Sequence, residues 1–457
     1  MQHQLAARVS THMLKTHIEM AQSTCRPTNV RGRYLIDKFQ WADVPRMENI
    51  MNYNEAYELL KAKDQLHILR YYDELDNEGK ESLLKQISDI DFSILDNLHA
   101  KEEKKESTIV PINAMMLEDI EKRHDEYKSA GLKAIKAGDL ALVLLAGGQG
   151  TRLGFDGPKG TLNVGETKDM FIFQLLVEHT LDVVHESGTW IHFFIMTNVK
   201  NHEQTTTFFK EHDYFGYNKD YIHFFRQEMV PSTDFDGKIL LEDKGQICLS
   251  PNGNGGWFSS LERAGLMDTI VKNNIKWINV FSVDNVLQGI ADPVFLGAVL
   301  KEGYVSGGKV IKKADPHERV GVLCMKDGKP FIVEYYELSE EMAYEKNERG
   351  EYAYNYGVTL NYMFPVDKLM NLLDKKMPLH VVKKKVPYIN NEGEFVKPEE
   401  PNGYKFETLA LDMIGYMETC LPFEVVREKE FAPIKNATGV DSIETAKALL
   451  VKNGYTL

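Results

Sequence analysis

The chain has 457 residues, of which 43% are hydrophobic and 27% charged, and its formal net charge is −14 at pH 7. This length allows two or three domains, and the composition is typical of soluble globular proteins. The negative charge argues against broad binding to nucleic acid or to an anionic membrane, and no apolar run approaches the roughly 18–20 residues that span a bilayer. We therefore expect neither a nucleic-acid nor a membrane partner. The cysteines form no CxxC pair, which disfavours structural zinc and favours a reducing cytosolic or nuclear compartment, and we predict a cytoplasmic location. They are Cys25, Cys248, Cys324 and Cys420.

The first fifty residues are basic, unlike the rest of the chain. Residues 1–36 contain a single acid, Glu19. The bases in the same stretch are Arg8, Lys15, Arg26, Arg31 and Arg33. Such a start is typical of an organelle-targeting segment or of an extension upstream of the folded chain. We predict that residues 1–50 are a disordered extension, with targeting as the alternative.

Residues 51–137 are predicted to form a helical region. Apolar residues recur at helical spacing from Met51 to about Leu98, and again over Ile120–Ile135, where Gly138 ends the pattern. The charged run Lys101–Lys105 between these stretches predicts an exposed linker.

From residue 138 the chain alternates between buried strands and amphipathic helices. Leu140–Ala146 is almost continuously apolar, as expected for a parallel strand covered on both faces. The next elements are a helix over Phe171–Val184, strands over Trp190–Met196 and Tyr221–Phe225, a helix over Leu261–Lys272 and a strand over Trp277–Val283. This alternation predicts a doubly wound α/β sheet in a central domain of residues 138–415.

A hairpin and a small lobe complete the predicted fold. Val320–Met325 and Pro330–Glu337 flank the dipeptide Asp327-Gly328, a favourable hairpin turn, so the sheet is predicted to be mixed. The elements shorten beyond about Gly415, which predicts a small C-terminal domain at residues 416–457.

The segment Leu145–Gly160, LAGGQGTRLGFDGPKG, is the most informative part of the chain. Glycines directly follow the buried strand, and residues without a Cβ let backbone N–H groups approach a phosphate or a base closely. Arg152 and Lys159 bring two cations to the same loop, which suits a polyphosphate better than a neutral ligand. The carboxyl end of a parallel strand is also where open α/β sheets bind ligands.

Two common nucleotide motifs do not fit this loop. A dinucleotide-binding G-x-G-x-x-G would need its third glycine at Leu153, but the glycine comes one place later. A P-loop needs Lys followed by Ser or Thr, whereas Lys159 follows Pro158 and precedes Gly160. A simple strand-to-helix turn is the remaining non-functional alternative.

The loop resembles the signature of eukaryotic UDP-N-acetylhexosamine (UDP-N-acetylglucosamine) pyrophosphorylases, and the resemblance covers residues 51–457. Further blocks similar to this family's, in the family's order, are FFRQEMVPSTDFDGKILLE (224–242), PNGNGG (251–256), VDN (283–285), ADP (291–293), VGVLC (320–324), VEYYE (333–337), KPEEPNGYKFE (397–407) and PIKNA (433–437). The resemblance implies a Rossmann-like, GT-A-like nucleotidyltransferase fold. We expect either a monomer or a homodimer. It also implies uridylyl transfer from UTP to a hexosamine 1-phosphate, with release of pyrophosphate.

The resemblance assigns roles to individual residues around the nucleotide. An amide side chain and backbone groups can together read the donor and acceptor edge of uracil. The residues implied to bind the nucleotide are Ala146, Gly147, Gly148, Gln227, Gly253 and Asn254. The cations implied to act on the phosphates are Arg152, Lys159, Lys405 and Lys435. No general base is expected, because a phosphate dianion is already a nucleophile.

Asp284 is the candidate metal ligand. It lies at the carboxyl end of the predicted strand Trp277–Val283, and the resemblance implies that it binds Mg²⁺ or Mn²⁺, with Asn285 in support. Without the resemblance, an Asp-Asn pair is as readily interpreted as a turn or a helix cap.

For the sugar, the resemblance implies contacts from Gly321, Glu334 and Asn355. The family pattern N-x-G-N-I is not kept, since Asn355-Tyr356-Gly357 is followed by Val358, whose side chain cannot form a hydrogen bond. N-acetylglucosamine 1-phosphate is the expected substrate, with N-acetylgalactosamine 1-phosphate or glucose 1-phosphate as alternatives.

Two other classes of protein compete with this interpretation. One is a non-catalytic UDP-sugar-binding protein, and the other is a nicotinamide-dependent oxidoreductase, which the displaced glycine disfavours.

Overall fold

The computed structural model describes residues 51–98 and 107–457. These residues belong to one compact unit that begins at residue 50. The predicted extension 1–50 and the predicted linker Lys101–Lys105 lie outside the described residues. Within the described residues, no helix is long and apolar enough to cross a membrane.

Strands and helices alternate along most of the chain. The strands are β1 (Ile109–Pro111), β2 (Leu140–Leu145), β3 (His192–Thr197), β4 (Ile222–Arg226), β5 (Met229–Pro231), β6 (Thr233–Asp234), β7 (Leu241–Asp243), β8 (Gln246–Ile247), β9 (Leu249–Pro251), β10 (Trp277–Ser282), β11 (Ser306–Lys312), β12 (Val322–Lys326), β13 (Lys329–Val333), β14 (Tyr356–Pro365), β15 (His380–Lys384), β16 (Tyr388–Ile389), β17 (Phe395–Val396), β18 (Gly403–Glu407) and β19 (Cys420–Glu424). The α-helices are α1 (Tyr53–Ala62), α2 (Asn77–Asp89), α3 (Leu117–Lys122), α4 (His124–Lys136), α5 (Ile172–Ser187), α6 (His202–Glu211), α7 (Trp257–Arg263), α8 (Met267–Lys272), α9 (Pro293–Glu302), α10 (Glu340–Tyr344), α11 (Val366–Met370), α12 (Arg427–Glu430) and α13 (Ile443–Lys452).

Ten of these strands form the central sheet. Its main order is β1-β12-β14-β10-β2-β3-β4, while β13 pairs with β12, and β11 joins β14 to β19. Strands β10, β2, β3 and β4 run parallel, and β14 runs antiparallel to β10. A separate three-stranded sheet has the order β15-β18-β6.

Strand β2 shows why its sequence is continuously apolar. All six of its residues are buried, with alternate side chains entering apolar clusters on opposite faces of the sheet. Helices α4, α5 and α9 contribute to one cluster, and α7 and α8 contribute to the other. The prediction of a mixed, doubly wound α/β sheet is confirmed.

Several predicted elements differ from the structure at their boundaries. The helix predicted over Ile120–Ile135 is two helices that meet at Arg123. The helix predicted over Leu261–Lys272 is likewise divided between α7 and α8, with Gly265 at a φ of 72° between them. The predicted hairpin is β12 with β13, and both residues of its Asp327-Gly328 turn have positive φ.

The terminal regions pack against the central part of the chain. Helices α1 and α2 share an apolar cluster with Ile239, Leu241, Ile247 and Ile389. The segment predicted as a small C-terminal domain supplies β19 to the central sheet and α13 to its main apolar cluster. The 416–457 segment therefore shares the sheet and core of the central region.

Candidate active site

The glycine-rich loop leaves β2 and folds back on itself. The N–H of Gly150 donates to the carbonyl of Gly157 at 2.9 Å, and the N–H of Lys159 donates to the carbonyl of Gly148 at 3.2 Å. A Cβ at Gly160 would lie 2.2 Å from the Phe173 ring, so this close approach requires glycine. A Cβ at Gly148 would meet nothing within 4 Å, because Gly148 faces open space. The loop therefore presents backbone to a cavity while its far end is held by packing.

Two asparagines after β3 hold this loop in place. The side chain of Asn198 donates to the carbonyl of Gly147, and the side chain of Asn201 donates to the carbonyl of Ala146 at 3.1 Å. Both asparagines are buried. The N–H of Ala146 donates a hydrogen bond to the carbonyl of Met196 at 2.8 Å. Ala146 therefore has both backbone groups bound within the protein, and its contribution is to anchor the strand.

Gln227 and the 251–256 loop form a second wall. Gln227 is 7% exposed, and its side chain donates to the carbonyl of Gly253. Gly253 has a φ of 84°, and a Cβ there would lie 2.2 Å from the carbonyl oxygen of Thr408. The side chain of Asn254 accepts a hydrogen bond from the N–H of Ala410 at 2.9 Å. This wall is therefore a close-packed contact between the 251–256 loop and the chain after β18.

Asp284 follows β10 and forms an ion pair with the glycine-rich loop. Nζ of Lys159 lies 2.6 Å from Oδ1 of Asp284. The Lys159 side chain is 9% exposed and that of Asp284 is 33% exposed, so the carboxylate remains open to solvent. Parallel strands β2 and β10 are neighbours, which explains why loops 125 residues apart meet at the same edge.

Asn285 ties this edge to the C-terminal segment. Its side chain donates to the carbonyl of Glu430 at 2.7 Å and accepts from the N–H of Ala432 at 2.9 Å. The carbonyl of Asp284 accepts from the N–H of Ile434 at 2.9 Å. The residue after Ile434 is Lys435, so these bonds bring its side chain to the end of β10. The side chain of Asn285 therefore supports the site by holding backbone groups of the C-terminal segment in place.

Except for Ala146, the predicted nucleotide and phosphate residues line a single cavity of about 640 Å³. The predicted residues in its wall are Gly147, Gly148, Arg152, Lys159, Gln227, Gly253, Asn254, Asp284, Lys405 and Lys435. Four of these residues are cationic, whereas only Asp284 and Glu407 among the lining residues carry carboxylates, so the net charge of the lining is positive. Such a balance suits a polyphosphate.

A smaller cavity of about 190 Å³ opens beside the first. Of the predicted sugar residues, Gly321, Glu334 and Val358 line it, whereas Asn355 lines neither cavity. Asp284 and Lys435 line both cavities, so they lie at the junction.

The carboxylate of Glu334 is partly desolvated. Burial raises the pKa of Glu334 above its ordinary value, and the nearby charge of Glu337 raises it further. His380 and Lys435 act in the opposite direction. A desolvated carboxylate at this position is a strong acceptor for hydroxyl groups.

Several further residues of the smaller cavity were not predicted from the sequence, among them Arg319, Tyr362 and Leu411. Arg319 directly precedes the VGVLC block and could have been found from that position. Tyr362 and Leu411 have no such signal, because an aromatic or aliphatic residue within a strand or helix is usually part of the core.

Asp284 is the residue here that fits a metal ion. Among the described residues, no three or more His, Cys, Asp and Glu side chains are grouped so that they could hold a metal. Mg²⁺ is commonly bound by one or two carboxylates together with substrate phosphates. A single, partly exposed carboxylate at a cation-lined cavity fits that mode of binding.

The chain is similar to known proteins over most of its length. The family model described as UTP–glucose-1-phosphate uridylyltransferase matches residues 91–453. The chain is 36% identical to UDP-N-acetylglucosamine pyrophosphorylase of Saccharomyces cerevisiae over 415 residues, which cover 87% of this chain and 86% of the yeast protein. It is 34% identical to UDP-N-acetylhexosamine pyrophosphorylase-like protein 1 of Mus musculus over 424 residues, covering 87% of this chain and 83% of the mouse protein.

A solved structure is similar over most of the chain. It is the uridine diphosphate N-acetylglucosamine pyrophosphorylase of Trypanosoma brucei in complex with an inhibitor, with a TM-score of 0.75 and 28% sequence identity. The match covers 87% of this chain and 84% of the trypanosome chain. The predicted family resemblance is confirmed.

Proposed function

The chain belongs to the UTP–glucose-1-phosphate uridylyltransferase family, and we propose that it converts UTP and N-acetylglucosamine 1-phosphate to UDP-N-acetylglucosamine and pyrophosphate. The observation that carries this proposal is the meeting of a large cation-lined cavity and a small cavity at Asp284 and Lys435. Such a junction suits a reaction in which a phosphate from one cavity attacks a phosphate in the other. A protein that binds only a nucleotide would need only the first cavity.

The chemistry follows from the distribution of charge. An oxygen of the sugar phosphate attacks the α-phosphorus of UTP in line, the bond from that phosphorus to the bridging oxygen breaks, and pyrophosphate leaves. Negative charge grows on the leaving group, so preorganised cations are the main requirement. Arg152 and Lys159 would neutralise the triphosphate and the departing pyrophosphate. Lys405 and Lys435 would neutralise the sugar phosphate and the α-phosphate.

Uridine would bind between the glycine-rich loop and the 251–256 loop. Gly148 offers backbone without a Cβ, and the amide of Gln227 is held against Gly253. An amide and backbone groups together match the alternating donors and acceptors of uracil. In this account a purine is disfavoured, because the wall at Gly253 is packed against Thr408 and cannot retreat.

Asp284 would hold Mg²⁺ or Mn²⁺ together with phosphate oxygens of the substrate. The bound ion would supply charge neutralisation at the phosphates. When UTP and metal enter, Lys159 would exchange its ion pair with Asp284 for contacts to phosphate.

The sugar would occupy the smaller cavity, with Glu334 accepting hydrogen bonds from its hydroxyl groups. The relatives named for UDP-N-acetylglucosamine support an N-acetylated substrate. N-acetylgalactosamine 1-phosphate and glucose 1-phosphate are the alternative acceptors. We also propose a cytoplasmic location and a monomeric or homodimeric state. Buried free Cys248, Cys324 and Cys420 agree with a reducing compartment.

Pyrophosphate release tests the function. The protein would be supplied with UTP, Mg²⁺ and, in parallel, the 1-phosphates of N-acetylglucosamine, N-acetylgalactosamine and glucose. We expect the fastest release with N-acetylglucosamine 1-phosphate and slow release when CTP replaces UTP. A preference for another sugar would keep the uridylyl transfer and change the substrate, whereas no release with any of them would reject the proposal.

A further inference from the structure

The ammonium group of Lys435 is held by Asp441, a residue that lines neither cavity. Nζ of Lys435 lies 3.6 Å from Oδ2 of Asp441. The same Nζ lies 5.9 Å from the centre of the ring of Phe431, which lines the smaller cavity. The side chains of Lys435 and Asp441 are 38% and 23% exposed. An ion pair this open to solvent contributes little to stability, so its main effect is on the position of the ammonium group.

The backbone of Asp441 also fixes the backbone of Lys435. The carbonyl of Asp441 accepts the N–H of Lys435 at 2.6 Å and the N–H of Asn436 at 3.0 Å. Asp441 has a φ of 55°, in the left-handed region that Asp and Asn tolerate better than most residues. The side chain of Asn436 closes the same loop by donating to the carbonyl of Val440 at 2.7 Å. A single residue therefore binds both the main chain and the side chain of Lys435.

The loop that carries these two residues is anchored at both ends. Ser442, the residue after Asp441, is fully buried, and its side chain caps α13. At the other end, the N–H of Ile434 donates to the carbonyl of Asp284 at 2.9 Å. Asp441 is therefore a fixed point, from which its carboxylate restricts the range of positions open to the Lys435 side chain.

We propose that Asp441 is a positioning residue, which holds the ammonium group of Lys435 at the junction of the two cavities. This inference rests on the proposed function, because it requires Lys435 to act on the phosphates that meet at this junction. A lysine side chain has several rotatable bonds, and its charge would otherwise be spread over many positions. The carboxylate keeps the charge near the place where negative charge develops during transfer.

The carboxylate of Asp441 has a second, opposite effect on the substrates. It is a negative charge beside a cation that binds phosphates, so it weakens the binding of UTP and of the sugar phosphate. Its removal should therefore lower turnover without weakening the binding of either substrate. Loss of a residue that only stabilises the fold would not separate these two effects, because a disturbed site binds substrate less well and also reacts more slowly.

Asp441→Asn tests this role. Asparagine tolerates the left-handed backbone at position 441, so the loop is retained. Steady-state rates of pyrophosphate release at varied UTP and N-acetylglucosamine 1-phosphate would give kcat and KM. We expect kcat to fall about 10-fold, because Lys435 loses its fixed orientation. Neither KM should rise, and the melting temperature should stay near that of the parent protein.

A double variant shows whether Asp441 acts through the lysine. Lys435→Ala should lower kcat by itself, since it removes a cation from the junction. Addition of Asp441→Asn to Lys435→Ala should then cause no further decrease in kcat, because the carboxylate has no ammonium group left to hold.

Asp64→Asn is the matched control. Asp64 also has a left-handed backbone, with a φ of 56°. Nζ of Lys238 lies 2.6 Å from its carboxylate and donates to its carbonyl at 2.6 Å. Neither Asp64 nor Lys238 lines the two cavities. Asp64→Asn should leave kcat and both KM values unchanged.

Three results would overturn the role of Asp441. A normal kcat for Asp441→Asn would show that the carboxylate does not position the lysine. A further loss of kcat in the Lys435→Ala background, or a lower kcat together with a higher KM and a lower melting temperature, would show a structural role instead. If the parent protein released no pyrophosphate, the proposed function itself would fail and this inference with it.

Discussion

At the scale of single residues, the ion pair between Lys159 and Asp284 joins the glycine-rich loop to the end of β10. Lys159 is 8% exposed, so its charge is kept in a partly desolvated position by one carboxylate. This arrangement is typical of a site that receives a charged ligand, because phosphate oxygens can replace the carboxylate as the partner of the lysine. It also means that a substitution at either residue removes the charged partner of the other.

Lys159→Ala and Asp284→Asn should both lower the rate of pyrophosphate release by at least about 100-fold, because the first removes a cation that acts on the phosphates and the second weakens the proposed metal ligand. Asp284→Asn retains an oxygen that can accept from Lys159, so its melting temperature should stay near that of the parent protein. Asp268→Asn is the control, since Asp268 forms an exposed ion pair with Lys272 on α8. Near-normal turnover by both variants, with Asp268→Asn also normal, would refute the roles assigned to this pair.

The sequence predicted most of this site, for identifiable reasons. Gly148 and Asp284 closely follow buried parallel strands, where the position alone indicates a ligand, and Lys159 belongs to the same loop as Gly148. Tyr362 could not be predicted in the same way, because its sequence signal is that of a core residue and only its place beside the smaller cavity distinguishes it. Asn355 was predicted from a motif, but the structure puts it outside both cavities.

At the scale of elements, a histidine pair joins strands β3 and β4. Nδ1 of His192 lies 3.0 Å from Nε2 of His223. Burial lowers the pKa of His223 to about 4, with a further lowering by His192, and burial also lowers the pKa of His192. Both residues are therefore neutral in the folded protein at neutral pH. In this state one ring can donate a hydrogen bond to the other.

The folded protein should lose stability in acid through this pair. Because the folded pKa of His223 lies below its ordinary value of 6.5, protonation favours the unfolded chain. The contribution is fully present above about pH 6.5 and is lost progressively as the pH falls towards about 4. In thermal melts across this pH range, the melting temperature of His223→Gln should fall less with decreasing pH than that of the parent protein.

His185→Gln provides the comparison for this experiment. His185 is exposed in the last turn of α5. Its replacement should leave the pH dependence of the melting temperature close to that of the parent protein. An identical pH dependence for the parent, His185→Gln and His223→Gln proteins would contradict the account of the β3–β4 pair.

Element boundaries were predicted less well than element types, for physical reasons. Strands β2 and β10 are buried on both faces, so β2 is continuously apolar and β10 is mostly apolar, and both could be recognised. The break between α3 and α4 at Arg123 has no glycine or proline to mark it. The place of β19 in the central sheet depends on parallel pairing with β11, as between Ser306 and Cys420. Such distant pairing has no local signal.

At the scale of the whole molecule, a buried lysine connects the central sheet to the C-terminal segment. Lys309 on β11 is 1% exposed. Its Nζ lies 2.8 Å from Asp292 Oδ2 at the start of α9 and 2.6 Å from Glu430 Oε2 on α12. The carbonyl of Glu430 accepts from Asn285, so this cluster continues to the residue beside Asp284. The catalytic edge of the sheet is therefore fixed by contacts between parts of the chain more than a hundred residues apart.

Lys309→Met should lower the free energy of unfolding by about 3–5 kcal/mol, because the partly buried carboxylates of Asp292 and Glu430 lose their cationic partner and keep only backbone hydrogen bonds. Urea denaturation would measure the change. Lys272→Met is the control, since the exposed pair of Lys272 with Asp268 should contribute less than about 1 kcal/mol. A loss of less than about 1 kcal/mol for Lys309→Met would show that the buried cluster does not stabilise the fold.

The central claim is that one reaction links the two cavities through transfer of a uridylyl group. Phosphorus NMR of the protein with UTP, Mg²⁺ and N-acetylglucosamine 1-phosphate would follow every phosphate at once. The account predicts that the signals of UDP-N-acetylglucosamine and pyrophosphate grow together in equal amounts as both substrates disappear. Release of inorganic phosphate or UMP without a UDP-sugar, or an unchanged spectrum, would contradict it.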